Sequence, residues 1–199
     1  MQAFFLDGQP GQRFCLYFAA RNGKARGAVI YVHPFAEEMN KSRRMAAQQA
    51  RAMAEAGFDV VQVDLFGCGD SSGDFADADW QAWLQDIQLA YRWLRARSLA
   101  PLTLWGLRAG CLLAANAAVA LQERANFIFW QPTVSGKQHL QQFLRLKMAG
   151  ELLAGQGKGV TEQLRQQLVA GHSVEIAGYS LSPALAKGLG GAELQPSAG

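Results

Sequence analysis

Five residues, Gly106-Leu107-Arg108-Ala109-Gly110, have the form of a tight elbow between a strand and a helix. They follow a short apolar run, Leu102-Thr103-Leu104-Trp105, and open an alanine-rich helical stretch that begins near Ala109. In such a turn the middle side chain stands at the mouth of the sheet, and enzymes that use it for acyl transfer place a serine there. This chain has Arg108 instead. A guanidinium stays protonated at any workable pH and cannot attack a carbonyl. It can hold negative charge, together with the free amides of a helix start, which suits a carboxylate or phosphate on a ligand. A cation near a helix N-terminus is otherwise unfavourable by roughly 0.3–1 kcal/mol. Arg108 therefore predicts an acidic partner, with Glu37 or Glu38 as the candidates.

Two more segments leave the ends of apolar runs, where open α/β sheets put their sites. His33-Pro34-Phe35-Ala36-Glu37-Glu38 follows Gly27–Val32, and Asp64-Leu65-Phe66-Gly67-Cys68-Gly69-Asp70-Ser71-Ser72-Gly73 follows Phe58–Val63. The second has a Gly-x-Gly after a strand, as in dinucleotide-binding turns. A third glycine would fall at Ser72 and no helix opens at once, which argues against a nucleotide site. Cys68 lies beside Asp70, whose carboxylate raises the thiol pKa, and Cys111 lies past the elbow, facing elsewhere. Ser71 and Ser72 read as turn residues that hydrogen-bond the backbone. His139, in a helical stretch, and His172 read as cap or surface histidines.

The elements that must position these residues alternate between strand and helix. Phe4–Leu6 and Phe14–Phe18 predict an antiparallel hairpin around Asp7-Gly8-Gln9-Pro10-Gly11. A turn at Asn22-Gly23-Lys24 leads to the strand Gly27–Val32, whose continuous apolarity fits burial on both faces. Helices are expected from about Ser42 to Ala56, stopped by Gly57, from about Asp79 to Arg97, and from the elbow to about Arg124. Phe127–Trp130 is the next strand. Short connections between alternating elements imply a mostly parallel sheet with helices on both faces and the hairpin at one edge. Beyond Gln131-Pro132 the pattern changes to helices over Gln138–Leu153 and Thr161–Val169, a glycine-rich link at 155–159, a short strand at Val174–Ala177 and a last turn from Ser182-Pro183. The expected organisation is a core over 1–132, a helical cap or lid over 133–190 and a loose tail over 191–199. Trp80, Trp83, Trp93 and Trp105 fit core packing, and Trp105, Phe35, Phe66 and Trp130 also suit the wall of an apolar cleft.

Composition bounds the class. The 199 residues are half hydrophobic, with a net charge of +3, enough for one domain with a real core. The densest cations, Lys41, Arg43 and Arg44, lie on the first turns of a helix and read as a solvated face, not a nucleic-acid site. No apolar run is long enough to span a bilayer, and the N-terminus lacks the pattern of a signal peptide. Three cysteines without metal-like spacing imply reduced thiols, no zinc site and a cytoplasmic setting. No cofactor is indicated.

In order and spacing, the three loops over about residues 27–131 resemble the α/β-hydrolase superfamily. More narrowly, the chain resembles the exosortase A system-associated hydrolase 2 group. That likeness is carried by Tyr31-Val-His33-Pro34-Phe35-Ala36-Glu37-Glu38-Met-Asn40-Lys-Ser42-Arg43, by Asp64-Leu-Phe-Gly67-Cys-Gly69-Asp-Ser71 and by Trp105-Gly106-Leu107-Arg108. The resemblance implies an α/β-hydrolase fold in a bacterial cytoplasmic protein associated with exopolysaccharide and protein sorting. It implies oxyanion-hole amides at Phe35 or Ala36 and at Ala109, since Pro34 has no N–H. It makes the Asp64 turn, with Cys68 and Ser71, a loop that shapes the pocket. In a catalytic member Arg108 would be an electrophilic stabiliser, and His33 or Glu37 the acid–base groups.

The departures are as informative. The superfamily orders Ser, then Asp or Glu, then His along the chain. Here the serine position is Arg108, and the late strands that would carry the acid and the histidine are not visible. Two functions stay open. One is hydrolysis of an ester or acyl substrate; the other is a catalytically inactive binding or scaffold protein with an anion-binding pocket at Arg108. The expected ligand is a small molecule or a lipid- or acyl-type one, an anionic group being suited to Arg108. The strand Phe127–Trp130, left as a sheet edge, is also a candidate surface for a homodimer.

Overall fold

The computed structural model describes residues 1–21, 23–121, 123–153 and 159–194. β1 (Gln2–Asp7) and β2 (Gln12–Phe18) form the expected hairpin, and β2 pairs antiparallel with β4 (Phe58–Val63). β4, β3 (Gly27–Val32), β5 (Leu102–Leu107) and β6 (Ala125–Trp130) run parallel, giving one six-stranded sheet in the order β1-β2-β4-β3-β5-β6. β3 and β5 are buried along their whole length, as their continuous apolar sequences require.

Alternation along β3 divides the core. Val29 and Tyr31 face one side, with Trp105 and the helix α1 (Glu37–Glu55). Ala28, Ile30 and Val32 face the other, beneath α2 (Trp80–Arg95) and α3 (Gly110–Ala120). α2 starts where Asp79 accepts a hydrogen bond from the Ala82 amide at 2.7 Å. α1 starts five residues earlier than the sequence pattern suggests. Glu37 and Glu38 occupy its first turn, where carboxylates oppose the helix dipole. Arg13 and Asp86 form a buried ion pair at 2.6 Å. The second Asp86 oxygen accepts from the Phe66 amide at 2.7 Å, so hairpin, α2 and the Asp64 loop are tied at one point.

After β6 the chain leaves the sheet. α4 (Gly136–Leu153), α5 (Val160–Val169) and α6 (Pro183–Gly191) surround a two-stranded antiparallel ribbon, β7 (Val174–Ile176) and β8 (Tyr179–Leu181). The sequence pattern anticipates the first of these strands but not its partner. Ala177 and Gly178, at φ 51° and 82°, make the tight reversal that joins them. The ribbon does not extend the main sheet, so β6 is the sheet edge and Phe127 on it is 40% exposed. The tail expected from residue 191 is held as far as residue 194. The Gly136 amide donates to Ala192 O at 2.9 Å, and the Leu194 amide to Val134 O at 2.8 Å. Residues 195–199, most of the glycine-rich link and Asn22 of the expected turn lie outside the described residues.

Candidate functional site

Strained backbone marks the site. Among the described residues, four non-glycine residues have positive φ, and three of them close adjacent parallel strands. Ala36 follows β3 (φ 49°, ψ −128°), Arg108 follows β5 (φ 54°) and Gln131 follows β6 (φ 42°). Such conformations cost on the order of 1–3 kcal/mol each and persist only where the surroundings enforce them. At the elbow the enforcement is visible. The Arg108 amide donates to Trp130 O at 3.0 Å, while its carbonyl accepts from Cys111 and Thr133 at 3.1 and 3.2 Å. A Cβ on Gly110 would lie 2.4 Å from Val32 O, and one on Gly106 would lie 2.6 Å from Cys111 Cα. Only glycine allows α3 to press this closely on β3 and β5, and that approach sets Arg108 beside the start of α1.

Arg108 Nε donates to Glu38 Oε1 at 3.2 Å, the acidic partner anticipated from the helix dipole. Both side chains are about a third exposed, 34% and 28%, so water screens the pair and it stabilises the fold by at most about 1 kcal/mol. Its value is positional. The pair borders a cleft of about 110 Å³, walled on one side by Phe35, Glu37, Glu38 and Arg108. The opposite wall is His139, Gln142, Phe143 and Leu146, which share one face of α4 at the i, i+3, i+4, i+7 spacing. Phe35 meets Phe143 and His139 edge-on, with ring centroids 5.0 and 5.7 Å apart. Ser182 Oγ donates to Ala78 O at 2.8 Å and Asn40 Nδ2 to Tyr179 OH at 3.3 Å, docking the helical section onto the core.

The chemistry of the cleft follows from what it leaves unpaired. Glu37 Oε2, Glu38 Oε2 and His139 Nδ1 are buried without a hydrogen-bond partner. Burial, helped by the nearby Arg108 charge and opposed by Glu37, pushes the His139 pKa down to about 4, so its imidazole is neutral at pH 7. Lys41 reaches Glu37 Oε1 only at 4.0 Å and is largely in water. Two carboxylates thus face one guanidinium. The amides of Ala36 and Ala109 have no partner among the described residues, but neither residue lines this cleft. The lining holds no hydroxyl or thiol.

The other sequence candidates are elsewhere. His33 is buried with both ring nitrogens engaged: Nδ1 contacts Pro34 O at 2.8 Å and Nε2 accepts from the Leu65 amide at 3.3 Å. Desolvation lowers its pKa, keeping it neutral. It braces two loops, with both ring nitrogens turned to the backbone. Asp64 is held by Arg43 and accepts from the Asp70 amide at 3.0 Å. Ser71 Oγ donates to Asp64 O and accepts from the Phe14 amide at 2.9 Å, the work of a turn residue. Cys68 is buried, with its thiol pKa raised by desolvation and by Asp64, and burial raises Cys111 to about 12. Trp105 is fully buried between Tyr31 and Trp130, at 4.4 and 4.8 Å, on the α1 face of the sheet. Asp64, Cys68, Ser71 and Trp105 therefore do not line the Arg108 cleft. Phe35 does, through its ring, and so do Glu37 and Arg108. His139, which sequence reasoning passed over, belongs to it. Its only signal is the shared helical face with Gln142, Phe143 and Leu146.

No His/Cys/Asp/Glu group among the described residues is arranged to hold a metal, and none of their helices is long and apolar enough to cross a membrane. Comparison with known proteins agrees with the fold. The chain is 34% identical over 116 residues to human protein ABHD12B, covering 57% of this chain and 30% of that protein, so it spans under a third of that relative's length. A lidless α/β serine hydrolase from Xanthomonas campestris superposes with a TM-score of 0.55 at 26% identity, over 64% of this chain and 59% of that one. Est1E from Butyrivibrio proteoclasticus, solved with ferulic acid, gives a TM-score of 0.67 at 17% identity, over 94% and 70% of the two chains, a likeness of fold. Residues 23–187 match the serine aminopeptidase S33 family, and with the elbow, strand order and helices in place the chain belongs to that family of α/β-hydrolases.

Proposed function

We propose that this α/β-hydrolase binds a small polar ligand at the Arg108 cleft without serine chemistry, the elbow arginine standing where a nucleophilic serine would. The observation that carries this reading is the cleft lining, which joins an arginine at the strained elbow to two glutamates with unpaired oxygens and contains no hydroxyl or thiol. The expected anion fits poorly, because two carboxylates outnumber one guanidinium. A ligand that donates to Glu37 and Glu38 and accepts from Arg108 fits better, and a polyol has both kinds of group. The likeness of the His33, Asp64 and elbow segments to exosortase A system-associated hydrolase 2 supports a setting beside bacterial surface-polysaccharide and protein-sorting machinery.

A second reading, hydrolysis of an ester or acyl substrate by an activated water, draws on the unpaired Glu37 oxygen and the neutral His139 imidazole in the same cleft. One experiment separates the two. Fluorophosphonate should leave the chain unlabelled and p-nitrophenyl butyrate should not turn over. Glycerol should raise the melting temperature in the parent but not in Arg108→Ala. Labelling by fluorophosphonate would overturn both readings, and turnover abolished by Glu37→Gln would favour the second.

A further inference from the structure

A second cavity, of about 240 Å³, lies on the other side of α1, between that helix and strands β2, β3 and β4. It shares no lining residue with the Arg108 cleft. Phe14, Leu16, Met39, Ala46, Ala47 and Val63 give it an apolar wall. Two polar atoms on its lining, Tyr31 OH and Gln62 Nε2, are buried with no hydrogen-bond partner, and Tyr31 is only 5% exposed.

Most other polar groups around it are already committed. His33 uses both nitrogens on Pro34 and Leu65, and Asp64 holds Arg43 and the Asp70 amide. Arg43 also reaches Asp70 at 3.3 Å. Arg44, exposed at the rim, has no acidic partner among the described residues. Burial holds the Tyr31 phenol up at about 12 against a smaller lowering by the neighbouring Ser42 hydroxyl, which spends its own proton on Glu38 O at 2.8 Å, so the phenol keeps its proton to donate. The unpaired buried atoms can thus both donate, and Arg44 is the charge beside them that lies outside the Arg43–Asp64–Asp70 cluster.

We propose that this cavity binds a small apolar carboxylate, with an aromatic ring or short chain against Phe14, Leu16 and Met39 and its oxygens toward Tyr31 OH, Gln62 and Arg44. The size agrees. A cavity of roughly 150 Å³ is enough for benzene, so this volume accommodates a ring carrying a carboxylate. The apolar wall supplies most of the binding and the two donors set orientation. Acceptor oxygens are required, because a purely apolar occupant would leave Tyr31 and Gln62 as unpaired as before.

The test uses the full chain labelled with ¹³C at its methionine methyls, the Met39 signal being assigned by Met39→Leu. Benzoate should shift Met39 saturably, and toluene, of similar shape without acceptors, should bind at least about tenfold more weakly. Tyr31→Phe keeps the ring and removes only the hydroxyl, so it should weaken benzoate by about tenfold while leaving toluene unchanged. Ala47→Leu fills the space and should abolish the shift from both, with glycerol stabilisation at the other cleft intact. A Met39 signal unmoved by saturating benzoate would overturn the proposal, as would unchanged benzoate affinity in Tyr31→Phe or in Ala47→Leu.

Discussion

The two hollows flanking α1 leave opposite kinds of atom unpaired. At its first turn, Glu37 and Glu38 present buried carboxylate oxygens to a cleft roofed by α4. Farther along, the same helix turns Met39, Ala46 and Ala47 toward a cavity whose unpaired atoms are the Tyr31 hydroxyl and the Gln62 amide nitrogen. One side asks for donors and the other for acceptors. The construction differs as well. The first cleft lies beside the strained elbow at Arg108, and half its wall comes from a helix far along the chain. The second is built within the core from β2, β3, β4 and α1, so its geometry does not depend on the helical section.

That contrast predicts which hollow each change disturbs. Phe143 is 4% exposed and packs edge-on against Phe35, so Phe143→Ala should cost about 3–5 kcal/mol of stability in urea denaturation. It should also abolish glycerol binding at the Arg108 cleft. Benzoate should still shift Met39 in this variant, and loss of both responses would mean that the hollows are not independent.

Acidification is the next largest effect. The folded pKa of His139, about 4, lies below its ordinary value of 6.5. As pH falls the unfolded chain takes up this proton first. Stability from this group is therefore full above about pH 6.5, declines as pH drops toward 4, and levels off below that. The decline amounts to about 3 kcal/mol from the size of the shift. Denaturation curves from pH 7 to 4 should show it, and His139→Phe should flatten that window. An unchanged slope in the variant would show that other groups carry the pH dependence.

Smallest in size, and opposite in sign, is Tyr31→Phe. Removing an unpaired buried hydroxyl should raise stability of the ligand-free protein by about 1 kcal/mol, seen as a higher melting temperature. A loss of similar size would mean that the hydroxyl already has a partner in solution.

Much of the framework was legible in the chain. Gly106 and Gly110 around Arg108 announced the elbow, and their spacing left no room for larger residues once α3 folded back on β3 and β5. The apolar runs at Gly27–Val32 and Leu102–Trp105 announced strands, both buried in the parallel sheet, and Arg108 at a helix start announced an acidic partner, found at Glu38. The surroundings of His33 are not legible in the chain, because a histidine at a strand end reads the same whether its nitrogens face a ligand or brace two loops. His139 was missed because its helix face becomes a wall only when α4 lies over Phe35. The strand β8 was missed because three residues carry too little periodicity to stand out.

Sequence by itself determined the local grammar, because glycine sterics, the two-residue and 3.6-residue periods and the charge at a helix start act over a few neighbouring residues. It thereby set the elbow, the strands around it and an arginine at the middle of the turn. Only the tertiary structure decided which groups share a hollow and which are left unpaired. Arg108 and Glu38 are 70 residues apart in the chain, and His139 joins them only because the helical section folds back. Whether a buried hydroxyl or carboxylate oxygen finds a partner depends on every element packed around it, and no local pattern records that.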